Sequence, residues 1–120
     1  MIWIKIASFL MFMGVALGAF GAHALKGKVD PYLLDVFKTG VLYHLIHALG
    51  LFAVAWLSTI SQDPKIAWAG ILLIAGIVLF SGSLYIMAFT GIRALGAITP
   101  FGGLAFLAGW VLILISKFGT

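Results

Sequence analysis

Four long apolar stretches of this chain, at about residues 2–25, 39–60, 66–90 and 99–117, contain no Asp and no Glu. A helix of about 20 predominantly apolar residues crosses the ~30 Å hydrocarbon core of a bilayer. A soluble helix would keep one polar face, whereas these segments are apolar all round. They read as four transmembrane helices, and together they use up nearly all of the 120 residues. The expected fold is all-α: a polytopic membrane protein forming one domain over residues 1–120, a compact four-helix bundle with no room for a separate catalytic domain.

Composition agrees, at 64% hydrophobic and 8% charged residues with a mean hydropathy of +1.26; a soluble domain is about 25% charged. The net charge of +4 does not point to nucleic acid. Its seven basic residues (Lys5, Lys26, Lys28, Lys38, Lys65, Arg93, Lys117) are scattered singly at span ends, where cations anchor helices to headgroups. The absence of cysteine removes disulfides, thiolate nucleophiles and thiolate metal sites. All three acids, Asp30, Asp35 and Asp63, fall in the connections.

The first span starts with Trp3 and Lys5 as interfacial anchors. Its Ala22-His23-Ala24 resembles a signal-peptidase site, but the apolar run exceeds the ~7–15 residues of a signal core, so the span is read as retained. Residues 26–38 are the charge-dense part of the chain, and Asp30-Pro31 reads as an N-cap followed by proline at the first helical position. A short amphipathic helix is expected there, lying on the membrane surface with Tyr32, Leu33, Val36 and Phe37 toward lipid and Asp35 and Lys38 toward water. Ser61-Gln62-Asp63-Pro64-Lys65 is a tight polar turn, and Thr99-Pro100 opens the last span as N-cap and first helical residue. Both termini then share one side of the membrane. With the terminal amine, that side carries four positive groups against four on the other.

In lipid, helices associate through close packing of small residues and interhelical hydrogen bonds. Contact faces are therefore expected at Gly14, Gly18 and Gly21 in the first span, and at Gly40 and Gly50 in the second. Gly76 and Gly82 should serve in the third, and Gly102, Gly103 and Gly109 in the fourth. The polar side chains gather away from the termini: His23, then Tyr43, His44 and His47, then Ser81, Ser83 and Tyr85. His44 and His47 are i, i+3, about 60° apart around the helix, and can point into one pocket. His23 and His47 are the candidates for a metal, a haem or a quinone. Equally, such residues make ordinary interhelical hydrogen bonds. Without an intramembrane carboxylate, Ser81 and Ser83 have no hydrolytic triad to join.

Taken together, Ala16-Leu17-Gly18-Ala19-Phe20-Gly21-Ala22-His23, Thr39-Gly40 with Tyr43 and His47, Leu79-Phe80-Ser81-Gly82-Ser83-Leu84-Tyr85, and Thr99-Pro100 with Gly102-Gly103 and Gly109-Trp110 form a signature. It resembles the domain of unknown function 423 family of small membrane proteins, and the resemblance covers essentially the whole chain. It implies four spans, no established activity and termini on the cytoplasmic side of a cell membrane; His44 is less firmly part of the pattern than His23 and His47.

The sequence specifies no cofactor. The leading expectation is a non-enzymatic membrane protein, with the bilayer as its solvent and a small hydrophobic ligand or another membrane protein as its partner. The alternatives are a histidine-based metal, haem or quinone protein, or a small oligomeric transporter. The missing intramembrane carboxylate argues against a proton-coupled transporter.

Overall fold

The computed structural model describes residues 1–118, which are all-helical with no strand among them. Three helices long and apolar enough to cross a membrane come first: α1 (Ile2–Leu25), α2 (Pro31–Ile60) and α3 (Pro64–Thr90). The fourth crossing begins with a 3-10 turn, Arg93–Ala97, and continues as α4 (Thr99–Leu114).

The helix starts follow local chemistry. Asp30 accepts from the Tyr32 N–H at 3.0 Å ahead of Pro31, and Asp63 accepts from the Lys65 N–H at 3.0 Å ahead of Pro64. Each cap satisfies a backbone donor that the helix itself leaves free. Gly91 ends α3 at φ 73°, a left-handed conformation natural to glycine, while its N–H reaches the Met87 carbonyl at 2.7 Å. Thr99 does not cap α4; its hydroxyl is bonded to Ser83 instead.

Two boundaries differ from expectation. Residues 31–38 are helical, but nothing interrupts the helix at Thr39, so they form the opening turns of α2 rather than a surface-lying segment. Thirty residues rise about 45 Å, more than the hydrocarbon needs. Leu33 and Phe37 consequently face protein and not lipid. Phe37 is fully buried with Leu25 and Ala88, and Leu33 is buried with Leu84 and Met87. At the other end, α4 stops at Leu114, short of Lys117. The chain there turns back so that the Lys117 N–H reaches Asp63 Oδ2 at 2.8 Å, and the Ser61 hydroxyl bonds the Lys117 carbonyl.

α2 is the hub. In its most apolar window 56% of residues are buried, against 11% in α1 and 17% in α4. Two wide π-turns, Leu17–Gly21 in α1 and Ile77–Ser81 in α3, dock on the same stretch of it. Gly18 and Gly21 admit Val41 and Phe37, while the Ser81 hydroxyl donates to the Gly40 carbonyl at 2.7 Å. Such one-turn widenings re-aim side chains within an otherwise regular helix. α1 meets α3 near the terminal end, where Trp3 lies over Gly70. That contact makes Trp3 a packing residue and Gly70 a contact glycine that the small-residue stripes do not single out.

Eight of the ten expected contact glycines do pack closely: Gly14, Gly18, Gly21, Gly40, Gly50, Gly76, Gly102 and Gly109 each have a neighbour where a Cβ would go, at 3.0 Å or less. Gly82 has open space, and Gly103 only a Phe80 ring carbon at 3.9 Å, so these two hold no contact. A Cβ on Gly102 would fall on the Phe80 backbone, and one on Gly76 on the Phe106 ring. Gly102→Leu and Gly76→Leu are therefore expected to destabilise the protein in detergent by ~2 kcal/mol or more. Gly82→Ala should be neutral or stabilising by up to ~1 kcal/mol. Equal thermal midpoints for the three variants would refute this packing.

Asp63 adds a pH dependence. Its side chain is 7% exposed and 3.4 Å from Lys65 Nζ. Its pKa is lowered by the Lys65 N–H first and the Lys117 N–H next, against the opposing effect of burial. A carboxylate with a depressed folded-state pKa stabilises the fold above its unfolded value of ~4. That stabilisation is lost as pH falls from there through the lowered folded-state pKa. Asp63→Asn should flatten the acid limb of a stability profile below pH ~4; a limb identical to that of the unsubstituted protein would sink the assignment.

Candidate functional site

His44 and His47 sit one turn apart on α2, and the 60° between them is enough to send them into different seams. His44 points between α1 and α3. Its Nε2–H donates to the Leu10 carbonyl at 2.7 Å, which leaves Nδ1 to accept from the Tyr85 hydroxyl at 2.8 Å. Gly14 makes this approach feasible, because a Cβ there would lie 3.2 Å from the imidazole. His47 points toward α4. Its Nδ1–H donates to the Tyr43 carbonyl one turn earlier at 2.7 Å, and its Nε2 accepts from the Trp110 indole N–H at 3.0 Å.

A carbonyl can only accept and an indole N–H can only donate, so the partners dictate both tautomers: His44 carries its proton on Nε2 and His47 on Nδ1. Each imidazole thereby uses its one lone pair within the protein. Neither can ligate a metal without breaking a hydrogen bond. His47 is stacked on Phe106, with centroids 3.5 Å apart and planes 10° from parallel; both histidines are buried, at 3% and 5% exposure.

The serines are likewise engaged. Ser81 is held on Gly40. Ser83 donates to the Phe80 carbonyl at 2.9 Å and accepts from the Thr99 hydroxyl at 2.6 Å, tying α3 to the start of α4. No buried side-chain nitrogen or oxygen among the described residues lacks a partner.

The expected cluster is thus brought together only in part. Tyr85, His44, Ser81 and Ser83 lie around α3, while Tyr43 and His47 belong to the α4 seam. His23 joins neither group. It is exposed in the last turn of α1, and no three His, Cys, Asp or Glu among the described residues are placed to hold a metal ion. The expected His23–His47 pair and the single shared pocket are therefore not formed. Leu10 and Trp110, moreover, lie in the halves of α1 and α4 nearer the termini, so the network crosses the middle of the bundle instead of staying in one leaflet. Trp110 and Thr99 are the partners that sequence reasoning left out of the site. The signal available was that an indole N–H within a membrane span requires an acceptor.

Two grooves flank these nodes. One, of about 500 Å³, lies between α1 and α3 over His44, with Met13, Val78 and Gly82 in its walls. The other, of about 610 Å³, lies between α2 and α4, walled by Tyr43, Phe80, Phe106 and Trp110 with Gly103. Outside the spans, Arg93 pairs with Asp30 at 3.3 Å and sits 4.7 Å over the Tyr32 ring, which fixes the 3-10 turn to the start of α2 and accounts for this arginine structurally.

Fold and site together define a small polytopic membrane protein whose buried polar side chains all have partners among the described residues and whose charged residues lie in the connections and the end turns of the helices. Residues 17–103 match the family described as a protein of unknown function (DUF423), and the chain belongs to that family. It is 54% identical over 105 residues to the UPF0382 membrane protein YwdK of Bacillus subtilis (strain 168), covering 87% of this chain and 85% of that one. It is 46% identical over 117 residues to the UPF0382 membrane protein SH2409 of Staphylococcus haemolyticus (strain JCSC1435), covering 98% and 95%. No solved structure matches the chain. The matched region runs from the first π-turn to Gly103 and includes both histidines, while their partners Leu10 and Trp110 lie outside it.

The two tautomers offer a direct check. Nitrogen-15 spectra of imidazole-labelled protein in detergent should show one Nε2–H and one Nδ1–H histidine alongside solvent-exposed His23, and Trp110→Phe should perturb only the Nδ1–H signal. Two buried histidines of the same tautomer would contradict the arrangement.

Proposed function

We propose that this is a non-enzymatic membrane protein that binds a small hydrophobic ligand in its lateral grooves, with the histidines serving as helix ties. The observation that carries this reading is the saturation of His44, His47, Ser81, Ser83 and Tyr85 by partners inside the protein. A general base or a metal ligand needs a free lone pair aimed at its target, whereas a binding groove needs shape and apolar wall with few polar groups. The two grooves supply the latter. Their volumes, about 500 and 610 Å³, fall in the range of small-molecule sites, roughly 300–1,000 Å³. Both termini are placed on the cytoplasmic side of the cell membrane in this reading, the orientation that the family resemblance implies.

Native mass spectrometry of protein extracted in mild detergent tests it. A ligand bound at defined stoichiometry is expected, and it should be lost in Gly82→Leu or Gly103→Leu, whose glycines stand at groove walls without packing contacts. Protein that emerges ligand-free, with both variants indistinguishable from it in growth and partner capture, would reduce the bundle to a structural element. Since the chain has no cysteine of its own, maleimide labelling of Lys28→Cys and Lys117→Cys on intact cells reads the orientation in the same preparation.

A further inference from the structure

The α2–α4 groove differs from its counterpart in the chemistry of its wall. Tyr43 and Trp110, each 39% exposed, supply the open aromatic wall, Phe80 is tilted against Tyr43, and Phe106 lies buried beneath them, stacked on His47. None of the residues that line it is charged. The nitrogens of His47 and Trp110 are spent on each other and on the Tyr43 carbonyl. The Tyr43 hydroxyl has no hydrogen-bond partner among the described residues, its carbonyl alone serving the site. Its phenol, on a residue 39% exposed, is the hydrogen-bonding group left to face an occupant. Gly103 keeps the wall low, and a Cβ there would meet only a Phe80 ring carbon, at 3.9 Å.

From this we infer that the α2–α4 groove binds a neutral, planar, carbonyl-bearing ring with an apolar tail, the chemistry of an isoprenoid quinone. The inference rests on the ligand-binding reading above and names the ligand class. Aromatic walls favour a flat ring, which gains offset or edge contacts beyond the area it buries. An acyl chain gains no such contact and leaves the phenol unpaired in an apolar setting, which is unfavourable. An anionic headgroup would find no cation in this wall. A ring carbonyl accepts the Tyr43 O–H, and the tail leaves through the open side of the groove into lipid. The inference concerns binding; no electron transfer is implied.

The test is a titration of purified protein in nanodiscs with a short-chain 1,4-naphthoquinone, reading the quenching of tryptophan fluorescence. An azido derivative of the same quinone then maps the site by crosslinking. Saturable quenching is expected, with label on α2 and α4. Tyr43→Phe should weaken binding about 3- to 10-fold, the loss of one hydrogen bond. Gly103→Leu should abolish saturation while keeping the thermal midpoint, since that glycine has room for a side chain. Non-saturable quenching, label elsewhere or on a second copy, or unchanged binding in Gly103→Leu overturns the inference. If the quinone fails but native mass spectrometry finds another lipid that Gly103→Leu displaces, the ligand-binding reading stands and only the quinone assignment falls; ligand-free protein removes both.

Discussion

A polar atom inside hydrocarbon has no water to turn to, and an unpaired one costs several kcal/mol. Most of this bundle can be understood as the answer to that constraint on one stretch of α2, from Phe37 to His47. Gly40 lends its carbonyl to Ser81, His44 takes the Leu10 carbonyl and the Tyr85 hydroxyl, and His47 takes Trp110. Two of these bonds hold α3, one holds α1 and one holds α4, so a few turns of one helix set the positions of all three. Interhelical hydrogen bonds in membranes average only ~0.6 kcal/mol each. Their importance here is directional: they select a register among close-packed alternatives that lipid would otherwise tolerate equally.

The glycines and the hydrogen bonds depend on each other. His44 can reach the backbone of α1 only because Gly14 has no side chain to block it, and Ser81 and Tyr85 can approach Gly40 for the same reason. Conversely, a helix pair drawn together by glycine alone could slide by a turn, and the polar tie prevents that. The π-turns contribute to the same fit. Both face the Phe37–Val41 segment, where the widened backbone brings Gly21 under a phenyl ring and Ser81 against a carbonyl.

Much of this was legible in advance. Four spans follow from charge-free length, and the starts at Asp30-Pro31 and Asp63-Pro64 follow from cap chemistry. Most contact glycines follow from lipid's inability to drive apolar burial. What was not legible involves choices that composition leaves open. A 60° separation places His44 and His47 in one pocket or in two depending on where the neighbouring helices stand, and no residue type encodes that. His23 has the same chemistry as the other two, yet its side chain is exposed at the end of α1 while its neighbour Leu25 is the one buried against Phe37. Gly82 and Gly103 sit in the same kind of motif as Gly102, and only the path of the neighbouring backbone separates a contact glycine from an open one. Thr99 looked like a cap because threonine before proline usually is one, but a buried Ser83 hydroxyl 2.6 Å away competes for it.

Pairing the polar groups inward also decides what chemistry remains for the outside. With His44, His47, Ser81, Ser83 and Tyr85 committed to holding the fold together, the middle of the bundle offers the membrane apolar side chains, two grooves beside Gly82 and Gly103, and the phenol of Tyr43. Such a surface recognises by shape and by a single hydrogen bond. The small-residue design therefore bears on the proposed ligand binding: glycines that bring helices together fill the interior, and under that proposal Gly82 and Gly103 mark the openings through which a membrane-soluble ligand would enter.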